Sequence, residues 1–422
     1  MIEHLYINDI LSVESVPIDE IVKEIKTPFY VYSHEKIQNN YFDLVSGLNK
    51  KRCSIFYSVK ANSNLAIIKT ISNLGAGMDV VSLGEYKRVK KSGVNSNKII
   101  FSGVGKTKKE LQKVILGGIK QINIESEEEL SLLNKTASEL NKIVPISFRV
   151  NPDVDAETHE KISTGKAENK FGISWNNVRD IYFNASKLTN VRIVGIDFHI
   201  GSQLTNLAPF RKAFEKVADM VKILKSDGHN IQSIDIGGGL GIKYSNKIIV
   251  PSYVDYGNLI EEVFGDLDCK IEIEPGRSLV GNAGFLVCSV IYLKKGDNKN
   301  FLIVDGAMND LIRPSLYNAF HDVICVDRRH NKRKKMFLDV VGPVCETGDF
   351  IGISRELPEL KNNELIAICS AGAYGAVMAS EYNTRPLVPE VMVKKDNFSV
   401  IRKRPSIKSI IERDIVPEWI NN

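Results

Sequence analysis

Lys60 is the first residue whose position could do chemistry. It follows Ile55-Phe56-Tyr57-Ser58-Val59, in which every residue but Ser58 is apolar or aromatic. An ammonium just past a buried strand is desolvated. Desolvation lowers a lysine pKa and exposes a nucleophilic amine, which is what a lysine that condenses with a carbonyl needs. The other reading is a surface lysine opening a loop, the commoner fate of the residue type. Gly237-Gly238-Gly239 and Gly276-Arg277 offer a second chemistry. Glycines let backbone N–H groups approach a phosphate, and an arginine can grip it. Taken alone, each segment also reads as an ordinary turn. Glu274, just before the second segment, could hold a heteroaromatic nitrogen protonated and strengthen it as an electron sink. His199 could stack on a flat ring, or be a satisfied structural histidine.

Further along, Arg313-Pro-Ser-Leu-Tyr317 sets a cation and a phenol four residues apart, and Cys345-Glu346 follows Val341-Gly-Pro-Val344. Tyr374 sits in Ala371-Gly-Ala-Tyr-Gly375, where flanking small residues expose it to a ligand or another backbone. Against these stand an arginine in a surface ion pair and a cysteine filling a core. Two glycine motifs fail on spacing. Gly103-Val-Gly-Lys-Thr107 would need glycine at position 100 to be a P-loop, and Ile100 stands there. Gly237-Gly-Gly-Leu-Gly241 would need glycine at 242 to be a dinucleotide loop, and Ile242 stands there.

The elements that must position these residues alternate from about residue 26. Short β-branched runs occur at Ser54–Tyr57, Gly77–Val81, Lys98–Phe101, Gln121–Ile124, Val144–Val150, Ile193–His199, Ser233–Ile236 and Lys270–Ile273. Amphipathic stretches such as Leu65–Leu74, Gly84–Ser92 and Glu127–Asn141 lie between them. Alternation of this kind means βαβ units and a parallel sheet, and the count and length match an α/β fold, a (β/α)8 barrel of the TIM type. Barrel chemistry sits at the carboxyl ends of the strands. In order those ends are Lys60, Asp79, Ser102, Glu125, Arg149, His199, Gly237–Gly239 and Glu274–Arg277. The two glycine segments thus fall after strands seven and eight, where barrels often build phosphate sites. The polar stretch Thr158–Asn169, inside the longest gap between strands, is a candidate lid.

After Gly281 the pattern changes to strands without long helices: Gly284–Leu293, Phe301–Asp305, Lys335–Val341, Glu364–Ile368 and Glu390–Val393. The expected domains are therefore a barrel over 27–281 and a β-rich domain over 282–422, joined by 1–26. Of the 422 residues, 43% are hydrophobic and 25% charged, an ordinary globular composition. Lys and Arg number 56 against 51 Asp and Glu, and a net charge of +5 is too small and too dispersed to point to nucleic acid. No secretory leader or membrane-spanning run is evident. The six cysteines form no C-x-x-C pair and the seven histidines no H-x-x-x-H pair. A reducing cytoplasm and no metal site are the expectation.

At this point Phe56-Tyr-Ser-Val-Lys-Ala-Asn62, His199-Ile-Gly-Ser-Gln203, Asp235-Ile-Gly-Gly-Gly239 and Glu274-Pro-Gly-Arg277 resemble the barrel-type, pyridoxal-phosphate-dependent amino-acid decarboxylases. Asp305-Gly-Ala-Met-Asn-Asp-Leu-Ile-Arg-Pro-Ser-Leu-Tyr317, Gly342-Pro-Val-Cys-Glu346 and Ala371-Gly-Ala-Tyr-Gly375 resemble the branch that converts meso-diaminopimelate to L-lysine, the last step of lysine biosynthesis. The similarity runs in the family's order from about Thr27 to Val393. It implies pyridoxal 5'-phosphate as cofactor, held covalently by Lys60. His199 would stack on the ring, Glu274 would pair with its nitrogen, and Asp79 and Arg149 would stand nearby. Ser202, Gly238, Gly239, Gly276, Arg277 and Tyr374 would surround the phosphate. Arg313 and Tyr317 would take the distal carboxylate of the substrate, with Arg277 and Tyr374 as further contacts, and Glu346 its distal ammonium. Cys345 would supply the proton that replaces the lost carboxylate. In the family the Cys-Glu pair comes from the partner subunit, which implies a homodimer with shared active sites. Thr347-Gly348 and Glu381 depart from the family's usual residue types without removing a functional position.

The nearest alternative is a decarboxylase of a carboxylated polyamine such as carboxynorspermidine, against which Arg313 in its full motif argues. A racemase would need a tyrosine base where Cys345-Glu346 stands. A pyridoxal-phosphate carrier would lack the second domain.

Overall fold

The computed structural model describes residues 4–48, 53–156, 164–165 and 168–420. They divide into two compact units. One holds Ile37–Lys243 and Ile248–Leu279; the other holds the residues up to Lys36, Tyr244–Lys247 and those from Val280 onward.

The first unit is a closed parallel barrel. Its strands are Cys53–Ser58, Gly77–Val80, Ile99–Phe101, Gln121–Ile124, Val144–Asn151, Val191–Asp197, Ser233–Asp235 and Lys270–Ile273. Each pairs in parallel with the next, and Ile271–Ile273 against Cys53–Ile55 closes the ring. Both faces of these strands are covered, so they read as nearly unbroken apolar runs. Met78, Ile100, Ile122, Ile146, Ile196 and Ile234 are fully buried. The helices between the strands start where capping side chains dictate. Ser82, Thr107 and Ser126 each accept the backbone N–H three residues on, and Thr107 forms a complete capping box with Glu110. The helix beginning at Lys108 therefore explains the Gly-Lys-Thr segment. Lys106 turns inward, its Nζ 2.7 Å from Gly103 O, 2.6 Å from Asn123 O and 2.6 Å from Glu129 Oε1. It braces two loops and is closed to a phosphate.

The gap after the fifth strand contains Ile173–Ser174, which pairs with Val150–Asn151, and a helix over Val178–Ser186. Residues 157–163 and 166–167, most of the expected lid, lie outside the described residues.

The second unit is built on a mixed sheet. From one edge its strands are Phe350–Pro358, Lys335–Val341, Asn300–Val304, Gly284–Lys295, Phe29–Ser33, Glu390–Lys394 and Asn397–Arg402. Leu365–Ile368 also pairs with Gly284–Lys295 and carries Val323–Cys325 beside it. Leu11, Val13, Ile18, Phe29, Val31, Val287, Ala367 and Val391 share one core. The barrel was expected to begin at residue 27, yet Phe29–Ser33 belongs to this sheet. The segment is an apolar run buried between two neighbours, and a local pattern does not say which sheet it joins.

Candidate functional site

The barrel's carboxyl mouth gathers an amine, several acids and an arginine. Lys60 sits on a short 3₁₀ turn, Val59–Ala61, that ends the first strand. Its Nζ is 3.6 Å from Asp79 Oδ2 at the end of the second strand. Asp79 is only 1% exposed and also accepts the Ser58 hydroxyl at 2.9 Å. The expected desolvation of Lys60 is not what this geometry shows. The side chain keeps 40% of its surface and leans on a buried carboxylate. The reason is the turn, which lifts Lys60 off the apolar strand onto the mouth.

Across the mouth, Glu274 is 8% exposed, and its carboxyl is pushed well above the usual range. Burial is the main cause, and the nearby Asp79 and Asp197 add to it against the pull of Lys60 and Arg149. Asp197, at the end of the sixth strand, is pushed up to about 7, by burial first, with Arg149 opposing. Asp235 is raised well above its ordinary value by burial and by Glu274. Like charges crowded in a closed barrel share protons rather than all ionise. Arg149 is the counter-charge. Burial works against its charge, but Glu125, 2.9 Å away, with Asp197 and Glu274 carries its pKa up. His199 is held neutral, its pKa driven well down by burial, then by Lys60 and Arg149.

The loops after strands six, seven and eight lie against one another. Gly238 donates its N–H to His199 Nδ1 at 3.3 Å. Gly239 has φ +111°, and a Cβ there would stand 2.5 Å from Gly201 O. Gln203 ties the loops together, donating to Ile242 O at 2.7 Å and accepting the Ile242 N–H at 3.1 Å. Arg277 Nη2 donates to Ser202 Oγ at 2.9 Å, so a guanidinium and a hydroxyl from different loops meet. A Cβ on Gly276 would stand 2.9 Å from Ala61 Cβ, beside Lys60.

This donor set fits pyridoxal phosphate. An amine, a buried acid that keeps its proton, a neutral imidazole, and an arginine with hydroxyl and glycine neighbours all end strands of one barrel. Asp79 Oδ1 is buried without a hydrogen-bond partner, so the mouth retains polar capacity. Among the described residues no group of His, Cys, Asp or Glu could hold a metal ion.

In the β-rich unit, Arg313 opens a short helix, Arg313–Tyr317, and is 5% exposed. Its Nε donates to His321 Nε2 at 3.2 Å, and the His321 ring meets Cys369 O through Nδ1 at 2.9 Å. The guanidinium also lies 5.0 Å from the centre of the Tyr244 ring. Tyr317, one turn on, is half-buried. Tyr374 is half-buried with φ +56°, a left-handed position enforced by the tight Ala-Gly-Ala-Tyr-Gly turn. Cys345 and Glu346 stand exposed on their own loop. Asp349 holds that loop from below, accepting the N–H groups of Val344 and Met308 at 2.7 Å each.

The barrel candidates Lys60, Asp79, Arg149, His199, Ser202, Gly238, Gly239, Glu274, Gly276 and Arg277 therefore come together at one mouth. In the β-rich unit, Arg313 and Tyr317 share one helix, while Cys345-Glu346 and Tyr374 stand on separate loops. Sequence reasoning missed His321 and Tyr244, which hold Arg313, and Gln203, which holds the glycine loop. Gln203 and Tyr244 act on residues distant in the chain, and His321, eight residues from Arg313, shares no helical or strand period with it.

Residues 34–281 match the family model described as pyridoxal-dependent decarboxylase, pyridoxal binding domain. The chain is 44% identical over 402 residues to diaminopimelate decarboxylase of Aquifex aeolicus, covering 95% of both chains. It superposes on the crystal structure of diaminopimelate decarboxylase from Helicobacter pylori complexed with L-lysine with a TM-score of 0.90 and 39% identity, covering 94% of this chain and 98% of that one. The M. jannaschii diaminopimelate decarboxylase, in co-complex with L-lysine, gives a TM-score of 0.93 at 35% identity, covering 99% and 98%.

Proposed function

This chain belongs to the pyridoxal-dependent decarboxylases, in the diaminopimelate decarboxylase family, and from that premise we propose how its residues divide the reaction. The enzyme is a pyridoxal-phosphate-dependent carboxy-lyase that converts meso-2,6-diaminopimelate to L-lysine with release of carbon dioxide. What supports the division of roles is the gathering of Lys60, Asp79, His199, Glu274 and the Ser202–Arg277 pair at one barrel mouth.

Pyridoxal phosphate, when bound, supplies an aldehyde that takes up an amine and a ring that accepts the electrons left by a departing carboxylate. Lys60 would hold it covalently, with Asp79 orienting the amine. Glu274 keeps a proton in the barrel and would present it to the ring nitrogen. His199, neutral, would lie on the ring face, with Arg149 nearby balancing the acids. Ser202, Gly238, Gly239, Gly276, Arg277 and Tyr374 would hold the phosphate. At the far end of the substrate, Arg313 and Tyr317, with Arg277 and Tyr374 as further contacts, would take the distal carboxylate. Glu346 would take the distal ammonium. A substrate without the carboxylate forgoes the charge-assisted contact with Arg313, and selectivity follows. Cys345 would give its thiol proton to the α-carbon. Exposed on its own protomer, the Cys345-Glu346 loop would complete the site of a partner in a homodimer. A cytoplasmic location fits the six cysteines, which form no disulfide among the described residues.

The test is substrate choice. Purified protein with pyridoxal phosphate is incubated separately with meso-diaminopimelate, ornithine and carboxynorspermidine, and carbon dioxide and amine product are measured. Turnover of the first far above the other two is expected. Preference for ornithine or carboxynorspermidine removes Arg313 and Glu346 from the assigned roles.

A further inference from the structure

The loop that carries Cys345 and Glu346 is exposed, yet its backbone is held by a short segment elsewhere in the same unit. The Cys345 N–H donates to Asn383 Oδ1 at 3.0 Å. The Glu346 carboxylate raises the pKa of the neighbouring Tyr382 phenol. Asn383 and Thr384 are both left-handed, with φ +57° and +56°. Asparagine tolerates that region, but a β-branched threonine there is strained, and such strain persists only where the surroundings over-determine it.

The surroundings do. Upstream of the turn, Glu381 forms an ion pair with Arg413. Downstream, Arg385 donates to Asp305 O at 2.5 Å and to Asn309 Oδ1 at 3.3 Å, and lies 3.7 Å from the buried Asp310. Asn309 in turn bonds the Ser380 backbone in both directions, at 2.9 and 3.0 Å. A turn this firmly pinned, strained at its tip and bonded to the exposed Cys345, serves that residue.

We propose that Asn383 is a positioning residue that fixes the backbone of Cys345, so that the loop is set before it meets substrate. The proposal rests on the role given to Cys345 above and deepens it. Asn383 acts through the proton donor, so its loss falls on kcat. Its side chain is exposed, so removing it leaves no cavity. Glycine at position 383 keeps the left-handed backbone without the amide, and aspartate keeps an acceptor in place.

The experiment compares Asn383→Gly and Asn383→Asp with Cys345→Ala, all as holoenzyme with meso-diaminopimelate, with a melting temperature for each. Asn383→Gly is expected to lower kcat about tenfold with KM nearly unchanged, and Asn383→Asp to recover most of it. If Cys345→Ala impairs the enzyme while Asn383→Gly matches wild type, the positioning role falls and the site reading stands. Equal losses in both Asn383 variants, tracking lowered melting temperatures, overturn the proposal in favour of plain structural support. If Cys345→Ala is itself harmless, the site reading and the proposal fall together.

Discussion

Lys60 and Arg313 are each one long cation fixed by a neighbour, and each fails in a different way when removed. Lys60 is held at the mouth by Asp79, a buried carboxylate with Ser58 behind it. Lys60→Ala leaves that acid without its cation and pyridoxal phosphate without the covalent anchor proposed for it. The visible absorbance of the bound cofactor should disappear, and kcat should fall by roughly a thousandfold or more. A spectrum of the purified variant after dialysis decides it, and a retained visible band removes Lys60 from its role. Arg313 is buried and set by His321, whose ring is itself oriented by Cys369 O. Arg313→Ala should raise KM for meso-diaminopimelate about a hundredfold, since a buried charge pair is lost. His321→Ala leaves the guanidinium in place but less fixed. It should raise KM only several-fold, about the worth of one hydrogen bond. Steady-state kinetics of the two variants rank the contributions, and an equal effect of both would mean that His321 is itself a substrate ligand.

At the scale of elements, the glycine loop after the seventh strand is shaped by its neighbours. Gly239 has φ +111° and faces Gly201 O, while a Cβ on Gly238 would stand 2.3 Å from Glu274 O. Gly239→Ala forces a side chain into a left-handed position and against a carbonyl. It should cost about 1–3 kcal/mol of local strain and weaken pyridoxal-phosphate affinity by tenfold or more. Equilibrium titration of cofactor-free protein measures the affinity directly; wild-type binding by this variant would take the loop out of the phosphate site. The loop's place was legible in the sequence because barrel strands announce themselves. Runs such as Ile99–Phe101 and Gln121–Ile124 are short and bounded by helix caps, so counting them puts Gly237–Gly239 seventh. Phe350–Pro358 was not legible. Its exposed Ile353, Ser354 and Glu356 break the alternation, and its pairing with Lys335–Val341 shifts register twice. Phe29–Ser33 read as an apolar run but not as a member of the β-rich sheet, because its partners lie about 250 and 360 residues further on. His321, eight residues from Arg313, and Asn383, 38 residues from Cys345, were hidden for another reason: hydrogen bonds of this kind leave no period in either stretch of chain.

At the scale of the whole molecule, the barrel carries most of the groups proposed to handle the cofactor, while Cys345 and Glu346 stand exposed on the other unit. An exposed thiol and carboxylate are poor places for proton delivery and ammonium binding unless another surface covers them, because water screens their charge. The proposed homodimer provides that cover, and it can be tested without a dimer structure. Lys60→Ala and Cys345→Ala chains are each expected to be nearly inactive. Mixed under conditions that allow subunits to exchange, they assort at random, and about half of the dimers pair one chain of each kind. In such a dimer one site lacks both residues. The other has Lys60 from one chain and Cys345 from its partner, and is intact. Activity should therefore return to about a quarter of the wild-type value for the same total protein. Chains that build each site from their own Lys60 and Cys345 recover nothing on mixing, whatever the assortment. The size of the recovery thus reports whether one chain completes the chemistry of another.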